Sequence, residues 1–278
     1  MSVMTWNFES RMLRGNTEIT VILPDMPRTR TPAEHFAADR RHPVLWLLHG
    51  TFGDHTDWLR KTNIEVYAEE RGLAVVMPSA LNSDYSNWSG FSLGYHAYDY
   101  LTDELMPMIY GSLPVSAARE NNFIAGLSMG GRGAMKFAVN HPDRFAAAAV
   151  LSAAPVDLSA IDEETLAGSD DFMMRRLRGQ VENAGGLAAY RDSPDNTWAL
   201  VERLAASGDL PRLFFAVGGD DLLADRLFPE FRAHAEGSGL DAEFWTSPGH
   251  DHEWRFWDAA IQRALDFFRL PMQESNRF

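Results

Sequence analysis

The segment 122–134 constrains the fold most strongly, because a short apolar run ends there in the pattern Gly126-x-Ser128-x-Gly130. Small and apolar residues at helical spacing follow, so the segment predicts a strand, a sharp turn and a helix. The two glycines lack a Cβ, which lets strand and helix approach closely, and the start of the helix leaves free N–H groups beside Ser128. Ser128 is therefore a candidate nucleophile. The alternative is a tight structural turn in which Ser128 caps the helix.

Apolar runs of strand length alternate with amphipathic stretches through most of the chain. The run 44–48 is continuous, which is typical of a strand covered on both faces, and the alternation of strands with helices predicts a mostly parallel sheet. Besides the run before Ser128, the predicted strands are 44–48, 73–78, 145–151, 213–217 and 242–246, and the predicted helices are 56–71, 98–109, 223–236 and 254–268. Strands at 6–14 and 17–23 predict an antiparallel hairpin at the sheet edge.

Residues 155–200 break this rhythm, because they are polar with only patches of helical pattern. They follow a predicted strand, so they would lie above the edge where the parallel strands end. We therefore expect a single α/β domain over residues 1–278, with 155–200 as a small cap insertion.

Charge and residue counts exclude several classes of function. The chain has 278 residues with 39 acidic and 25 basic side chains, a formal net charge of −14. Because the chain has no run of basic residues, nucleic acid and anionic membranes are poor candidates for partners, whereas a small neutral or cationic ligand is plausible. The absence of cysteine excludes disulfides, thiolate metal sites and a cysteine nucleophile.

The N-terminal segment 1–9 has neither the basic start nor the apolar core of a signal peptide. No apolar run approaches the length of about 18 residues that a membrane span needs. These features predict a cytoplasmic protein, and they leave open whether it forms a homo-oligomer.

A serine nucleophile needs a base, and the base needs an acid that orients it. After a turn of this kind the expected chain order is serine, acid, histidine. The carboxylates of Asp220 and Asp221 follow a predicted strand, and so do His250 and His252. Parallel strands gather functional groups at their carboxyl ends, so these side chains can converge on Ser128. His234 lies in a helix with a surface pattern and does not fit.

Metal binding is a rival function for the cluster formed by His250, Asp251, His252 and Glu253. Imidazole and carboxylate groups can ligate a cation, but no third, distant ligand set completes a closed site. We therefore expect neither a metal nor a cofactor.

Aromatic residues are frequent in the loop-like stretch 79–96, and they are either pocket walls or simple loop packing. Tyr85 and Trp88 are our candidates for contact with a substrate, together with Phe52 in an earlier loop.

Three segments carry a resemblance to a known family: 49–59 (HGTFGDHTDWL), 126–131 (GLSMGG) and 247–257 (SPGHDHEWRFW). Together they resemble the esterase D family of α/β-hydrolases, and most of all its tributyrin-esterase-like branch. The family includes S-formylglutathione hydrolases, feruloyl and acetyl-xylan esterases, and mycolyltransferases. The resemblance implies an α/β-hydrolase fold and acyl transfer from an ester or a thioester, without specifying the acyl group.

The resemblance also implies roles for individual residues. The family histidine stands two residues before the first tryptophan of the third segment, which selects His252, and the pattern Gly-x-x-Asp-x-Leu selects Asp221. It further implies an oxyanion hole formed by the backbone N–H of Met129 and a second N–H in the loop after residue 48, for which we favour Thr51. His49 is then structural.

The resulting prediction is a cofactor-free serine carboxylesterase that acts on a small-molecule ester with a short acyl group. An S-formylglutathione hydrolase-like thioesterase and an acetyl-xylan or feruloyl esterase are the catalytic alternatives. A binding protein of hydrolase fold without catalysis is a remote one.

Overall fold

The computed structural model describes residues 2–37 and 39–273. Eight strands form one sheet in the order β1-β2-β4-β3-β7-β8-β9-β10. In chain order the strands are β1 (Ser2–Ser10), β2 (Gly15–Leu23), β3 (Val44–Leu48), β4 (Ala74–Pro78), β5 (Asn87–Trp88), β6 (Tyr95–His96), β7 (Asn122–Leu127), β8 (Ala147–Leu151), β9 (Arg212–Gly218) and β10 (Ala242–Ser247). From β4 to β10 all pairings in this sheet are parallel, which confirms the predicted mostly parallel arrangement. β1 and β2 are the antiparallel edge, and β5 and β6 form a separate small hairpin.

Helices cover both faces of the sheet. In chain order they are α1 (Pro32–His35), α2 (Asp57–Lys61), α3 (Ile64–Glu70), α4 (Ala97–Asp99), α5 (Met106–Ser112), α6 (Met129–Asn140), α7 (Glu163–Gly168), α8 (Phe172–Ala184), α9 (Leu187–Arg191), α10 (Thr197–Leu204), α11 (Leu227–Ser238) and α12 (Trp254–Phe267). A π-helical segment, Tyr100–Leu105, joins α4 to α5.

The hydrophobic core has two layers, one on each face of the sheet. Successive residues of a strand point to opposite faces, so Trp46 of β3 packs in the layer that contains Phe137 of α6. Its neighbours Leu45 and Leu47 pack in the other layer, with Ile261 of α12. Burial on both sides is the physical reason why the central strands have continuous apolar sequences.

The N-terminal hairpin lies in a different register from the predicted one, because its turn comes earlier. Ser10 pairs with Gly15, and the intervening turn places Arg14 at a positive φ of 57°. The carboxylate of Glu104 accepts hydrogen bonds from the Ser10 hydroxyl (2.5 Å) and the Arg11 N–H (2.7 Å). This contact is remote in sequence, so local patterning could not locate the turn.

The predicted helix 56–71 is divided into α2 and α3. Thr62 adopts an extended conformation between them, and its hydroxyl donates to the carbonyl of Trp58 at 2.6 Å. The N–H of Asn63 is satisfied by the carboxylate of Asp258 in α12, at 2.9 Å. Tertiary contact with α12 therefore stabilises a break that helical periodicity does not reveal.

The segment between β8 and β9 carries α7 to α10 and has a small hydrophobic cluster of its own. Its buried members are Leu158, Leu166, Val181, Leu187 and Tyr190. Ion pairs of Arg176 with Asp84 and of Lys136 with Asp195 join this insertion to the loop before β5 and to α6. No helix within residues 2–37 and 39–273 combines the length and the apolar character that crossing a membrane requires.

Candidate active site

Ser128 occupies the sharp turn between β7 and α6. Its backbone has φ 52° and ψ −115°, a conformation that is strained for a residue with a side chain. The Ser128 N–H donates to the carbonyl of Leu151 at 2.8 Å, which ties the turn to β8. A Cβ at Gly126 would lie 2.3 Å from the carbonyl oxygen of Gly130, so only glycine permits this close packing.

Asp221 and His252 form a hydrogen-bonded pair beside this turn. Nδ1 of His252 lies 2.8 Å from Oδ2 of Asp221, whose side chain is fully buried, whereas the His252 side chain is 31% exposed. The other carboxylate oxygen accepts a hydrogen bond from the N–H of Leu223 at 3.1 Å.

Burial raises the pKa of Asp221, but the hydrogen bond and charge interaction with His252 outweigh it, so its pKa lies below the ordinary value. An ionised Asp221 accepts the Nδ1 proton of His252 and leaves Nε2 as the unprotonated nitrogen. This tautomer can take a proton from a hydroxyl group.

Two residues that sequence reasoning missed support this pair. The indole N–H of Trp257 donates to the hydroxyl of Ser152 at 3.0 Å, and the Trp257 ring packs edge-on against His252 with centroids 5.1 Å apart. A hydrogen bond from Ser152 also helps to lower the pKa of Asp221. The position of Ser152 directly after strand β8, at the same sheet edge as Ser128, is the signal that could have identified it.

The neighbouring candidates Asp220 and His250 have other surroundings. Asp220 is exposed, and its backbone N–H donates to the carbonyl of His250 at 2.9 Å. Nδ1 of His250 lies 3.1 Å from the hydroxyl of Ser247. Among the side chains of these four candidates, only those of Asp221 and His252 are hydrogen-bonded to each other.

The two backbone N–H groups that we expect to form an oxyanion hole belong to Met129, which directly follows Ser128, and to Thr51, which lines the same cavity as Ser128. Met129 is the first residue of α6, where the N–H has no partner within the helix. Among residues 2–37 and 39–273, none accepts a hydrogen bond from the N–H of Thr51, whereas the next N–H, of Phe52, donates to Oδ1 of Asn82 at 2.8 Å. Both groups are thus available to a negatively charged oxygen.

His49 has a structural role in the same loop. Its Nδ1 lies 2.7 Å from the carbonyl of Gly50, and its Nε2 accepts a hydrogen bond from the N–H of Ala80 at 2.9 Å. Burial lowers the pKa of His49, which favours the neutral ring that this arrangement requires. The imidazole therefore stabilises the loop that carries Thr51.

A cavity of about 560 Å³ brings most of these groups together, a size typical of small-molecule sites. Ser128, His252 and Thr51 line it, and so do Arg176 and Met173 of the insertion. Phe52 also lines the cavity, and its side chain is 84% exposed. Phe52 is therefore placed where it can contact a ligand that enters from solvent.

Tyr85 and Trp88, which we expected to contact a substrate, are not among the residues that line this cavity. Tyr85 is only 1% exposed, packs against Phe137 and donates its hydroxyl proton to the carbonyl of His49 at 3.1 Å. The indole N–H of Trp88 donates to the carbonyl of Ser83 at 2.7 Å. Both aromatic rings stabilise the loop itself.

Comparison with known proteins identifies the family. The family described as "Putative esterase" matches residues 12–268. An acetyl esterase from Caldicellulosiruptor saccharolyticus is 28% identical over 272 residues, which cover 96% of this chain and 98% of the relative. Two solved structures from Staphylococcus aureus are each 29% identical and cover 96% of this chain and 98% of their own: an S-formylglutathione hydrolase (TM-score 0.76) and the fluorophosphonate-binding serine hydrolase F (TM-score 0.77). The chain therefore belongs to this esterase family, with the α/β-hydrolase fold, and it is an esterase.

Proposed function

We propose that this esterase is a serine carboxylesterase that hydrolyses esters of short acyl groups through an acyl-enzyme intermediate. The observation that carries the proposal is the 2.8 Å pair of Asp221 and His252, because His252 lines the same cavity as the strained Ser128. A nucleophile, a base and an orienting acid are the groups that ester hydrolysis of this kind requires.

In the first half of the proposed reaction, Oγ of Ser128 attacks the ester carbonyl carbon while its proton passes to Nε2 of His252. The carbonyl oxygen becomes an oxyanion and accepts hydrogen bonds from the N–H groups of Met129 and Thr51. His252 then donates the proton to the departing alcohol as the C–O bond breaks. In the second half, water attacks the carbonyl carbon of the acyl-enzyme and gives a proton to His252, which returns it to Oγ of Ser128 as the bond from Oγ to the acyl group breaks and the carboxylic acid leaves.

A smaller cavity of about 130 Å³ adjoins the site, and its size supports our proposal that the acyl group is short. Its walls are mostly apolar and include Met135, Val150 and Leu177, and it shares Val156 and Met173 with the larger cavity. An engineered apolar cavity of about 150 Å³ holds one benzene molecule, so this space suits an acyl chain of up to about six carbons. The similarity to an acetyl esterase also supports a short acyl group.

Met173→Ala tests this assignment, since the side chain stands between the two cavities. We expect the ratio of kcat/KM for octanoyl over acetyl p-nitrophenyl esters to rise about tenfold, because the shared wall recedes. Glu182→Ala, an exposed position on the same helix, should leave the ratio unchanged. If Met173→Ala left this ratio of kcat/KM values unchanged and lowered the melting temperature strongly, the insertion would be part of the structural core and would not determine acyl-chain preference.

The same substrate series separates the competing chemistries. A glutathione thioester and a feruloyl ester belong in it, since an S-formylglutathione hydrolase and a ferulic acid esterase are among the similar structures. Our proposal requires the highest kcat/KM for a short acyl ester. A thioester preferred over all oxygen esters would replace the proposal with a thioesterase function.

Asp221→Asn is expected to lower kcat by about 10⁴-fold, the loss known for the corresponding change in a serine protease. An amide can donate toward Nδ1 of His252, which stabilises the wrong tautomer. Asp220→Asn is the matched control and should stay within about threefold of the wild type, because only its backbone contacts His250. If Asp220→Asn were the inactive variant, Asp220 would be the orienting acid and our assignment would be wrong.

A further inference from the structure

Arg176, in α8 of the insertion, reaches two separate parts of the site. Its Nε and Nη2 donate to the two carboxylate oxygens of Asp84 at 2.6 and 2.5 Å, and its Nη1 donates to Oγ1 of Thr51 at 2.7 Å. The side chain is only 12% exposed. A planar guanidinium that is bound at three atoms has little freedom to move, so Thr51 has a rigid hydrogen-bond donor beside it.

Asp84 fixes the other end of this guanidinium. Its side chain is 5% exposed, and it also accepts a hydrogen bond from Arg132, one turn after Ser128 in α6, at 2.5 Å. Burial raises the pKa of Asp84, but the charges of Arg132 and Arg176 outweigh it, so its pKa lies below the ordinary value. An ionised carboxylate between two arginines therefore links α6 to α8.

The loop that carries Thr51 is held at two adjacent points. Arg176 binds the Thr51 side chain, and Oδ1 of Asn82 binds the N–H of Phe52. The backbone of Phe52 has a positive φ of 65°, which a residue with a side chain adopts only when its surroundings enforce it. The Thr51 N–H directly precedes these two attachments along the backbone.

We propose that Arg176 is a positioning residue that holds the N–H of Thr51 in the oxyanion hole by binding the Thr51 hydroxyl. The inference rests on the proposed serine mechanism. Oxyanion donors act only when they are aligned with the charge that develops in the transition state. Arg176 thereby makes the docking of α8 a condition for a complete oxyanion hole.

Two other roles of Arg176 make different predictions. A residue that binds an anionic substrate through its charge would change KM, and it would do so independently of the Thr51 side chain. A residue that only neutralises Asp84 would change stability and the fraction of active protein, and kcat per active site would stay constant. A positioning residue changes kcat per active site, with coupling to Thr51.

The experiment compares Arg176→Met, Arg176→Lys, Thr51→Val, Thr51→Ser and the double variant Thr51→Val/Arg176→Met. Arg178→Met is the matched control, because Arg178 is in the same helix but donates to the carbonyls of Leu166 and Ser169 inside the insertion. For each variant, kcat is divided by the active sites titrated in an acylation burst. Affinity for a phenylboronic acid, which forms a tetrahedral adduct, is measured alongside.

We expect Thr51→Val and both Arg176 variants to lower kcat per active site by about ten- to a hundredfold, with KM changed by no more than about threefold. Affinity for the boronic acid should fall by a similar factor. Thr51→Ser should restore most of the activity because it keeps the hydroxyl. In the Thr51→Val background, Arg176→Met should have a several-fold smaller effect than in the wild type.

The inference would be overturned if Arg176→Met and Arg176→Lys kept the wild-type kcat per active site. It would also be overturned if these variants changed only KM. Additive effects of Thr51→Val and Arg176→Met would overturn it as well, and so would an equal loss in Arg178→Met. These outcomes are distinguishable from a failure of the serine mechanism, since such a failure would show itself as activity in Ser128→Ala.

Discussion

Replacing Ser128 with alanine is expected to lower kcat/KM for a p-nitrophenyl acetate substrate by about 10⁵- to 10⁶-fold, as for the nucleophile of a characterised serine hydrolase. The variant lacks the oxygen that forms the acyl-enzyme. Its fold should persist, because the backbone bonds that Ser128 makes to Leu151 and Arg132 do not involve the side chain. Steady-state kinetics and a thermal melt of the purified variant test both statements.

Ser152 provides the matched control, since it lines the same cavity and its hydroxyl is near Asp221. Ser152→Ala removes a supporting hydrogen bond and leaves the nucleophile in place, so we expect a loss of about tenfold. An active Ser128→Ala together with an inactive Ser152→Ala would mean that the nucleophile is misassigned.

Replacing His252 with alanine should cause a loss of the same order, about 10⁵- to 10⁶-fold, because base and nucleophile act as a unit. His250→Ala should keep activity within about tenfold of the wild type. The two imidazoles are only two positions apart, but His252 binds the buried Asp221 and His250 contacts Ser247.

The measurement is kcat/KM of the two variants on one short-chain ester, with the double variant Ser128→Ala/His252→Ala for comparison. In the proposed mechanism this double variant is about as inactive as either single one, because each substitution already abolishes the same step. If His250→Ala were inactive and His252→Ala active, the assignment of the base would be reversed.

The mostly parallel sheet and the place of the site could be predicted because local sequence determines both. A strand buried on two faces must be apolar throughout, and parallel strands gather their ends at one edge. Ser128 and Asp221 follow strands that are buried on both faces, and His252 follows the parallel edge strand β10, so their convergence can be predicted without knowledge of tertiary contacts. Strand position alone does not distinguish Asp220 from Asp221, because both residues follow the same strand end. Only the family pattern selects Asp221.

The features that could not be predicted depend on contacts between distant segments. Tyr85 belongs to an aromatic loop that is compatible with either a pocket wall or packing, and its bond to the carbonyl of His49 decides for packing. The contact of Arg176 with Thr51 joins residues 125 positions apart. Nothing in the insertion's polar sequence distinguishes Arg176 from the other arginines of α8, since their different partners exist only in the folded chain.

The central claim is that Ser128 is the nucleophile activated by His252 and Asp221, and covalent labelling tests it most directly. The purified protein is treated with a fluorophosphonate, digested, and analysed by mass spectrometry to locate the modified serine. We predict one adduct per chain, on Ser128, which is absent in Ser128→Ala and forms far more slowly in His252→Ala. An adduct on any other serine, or equal labelling of the wild type and Ser128→Ala, would contradict the account.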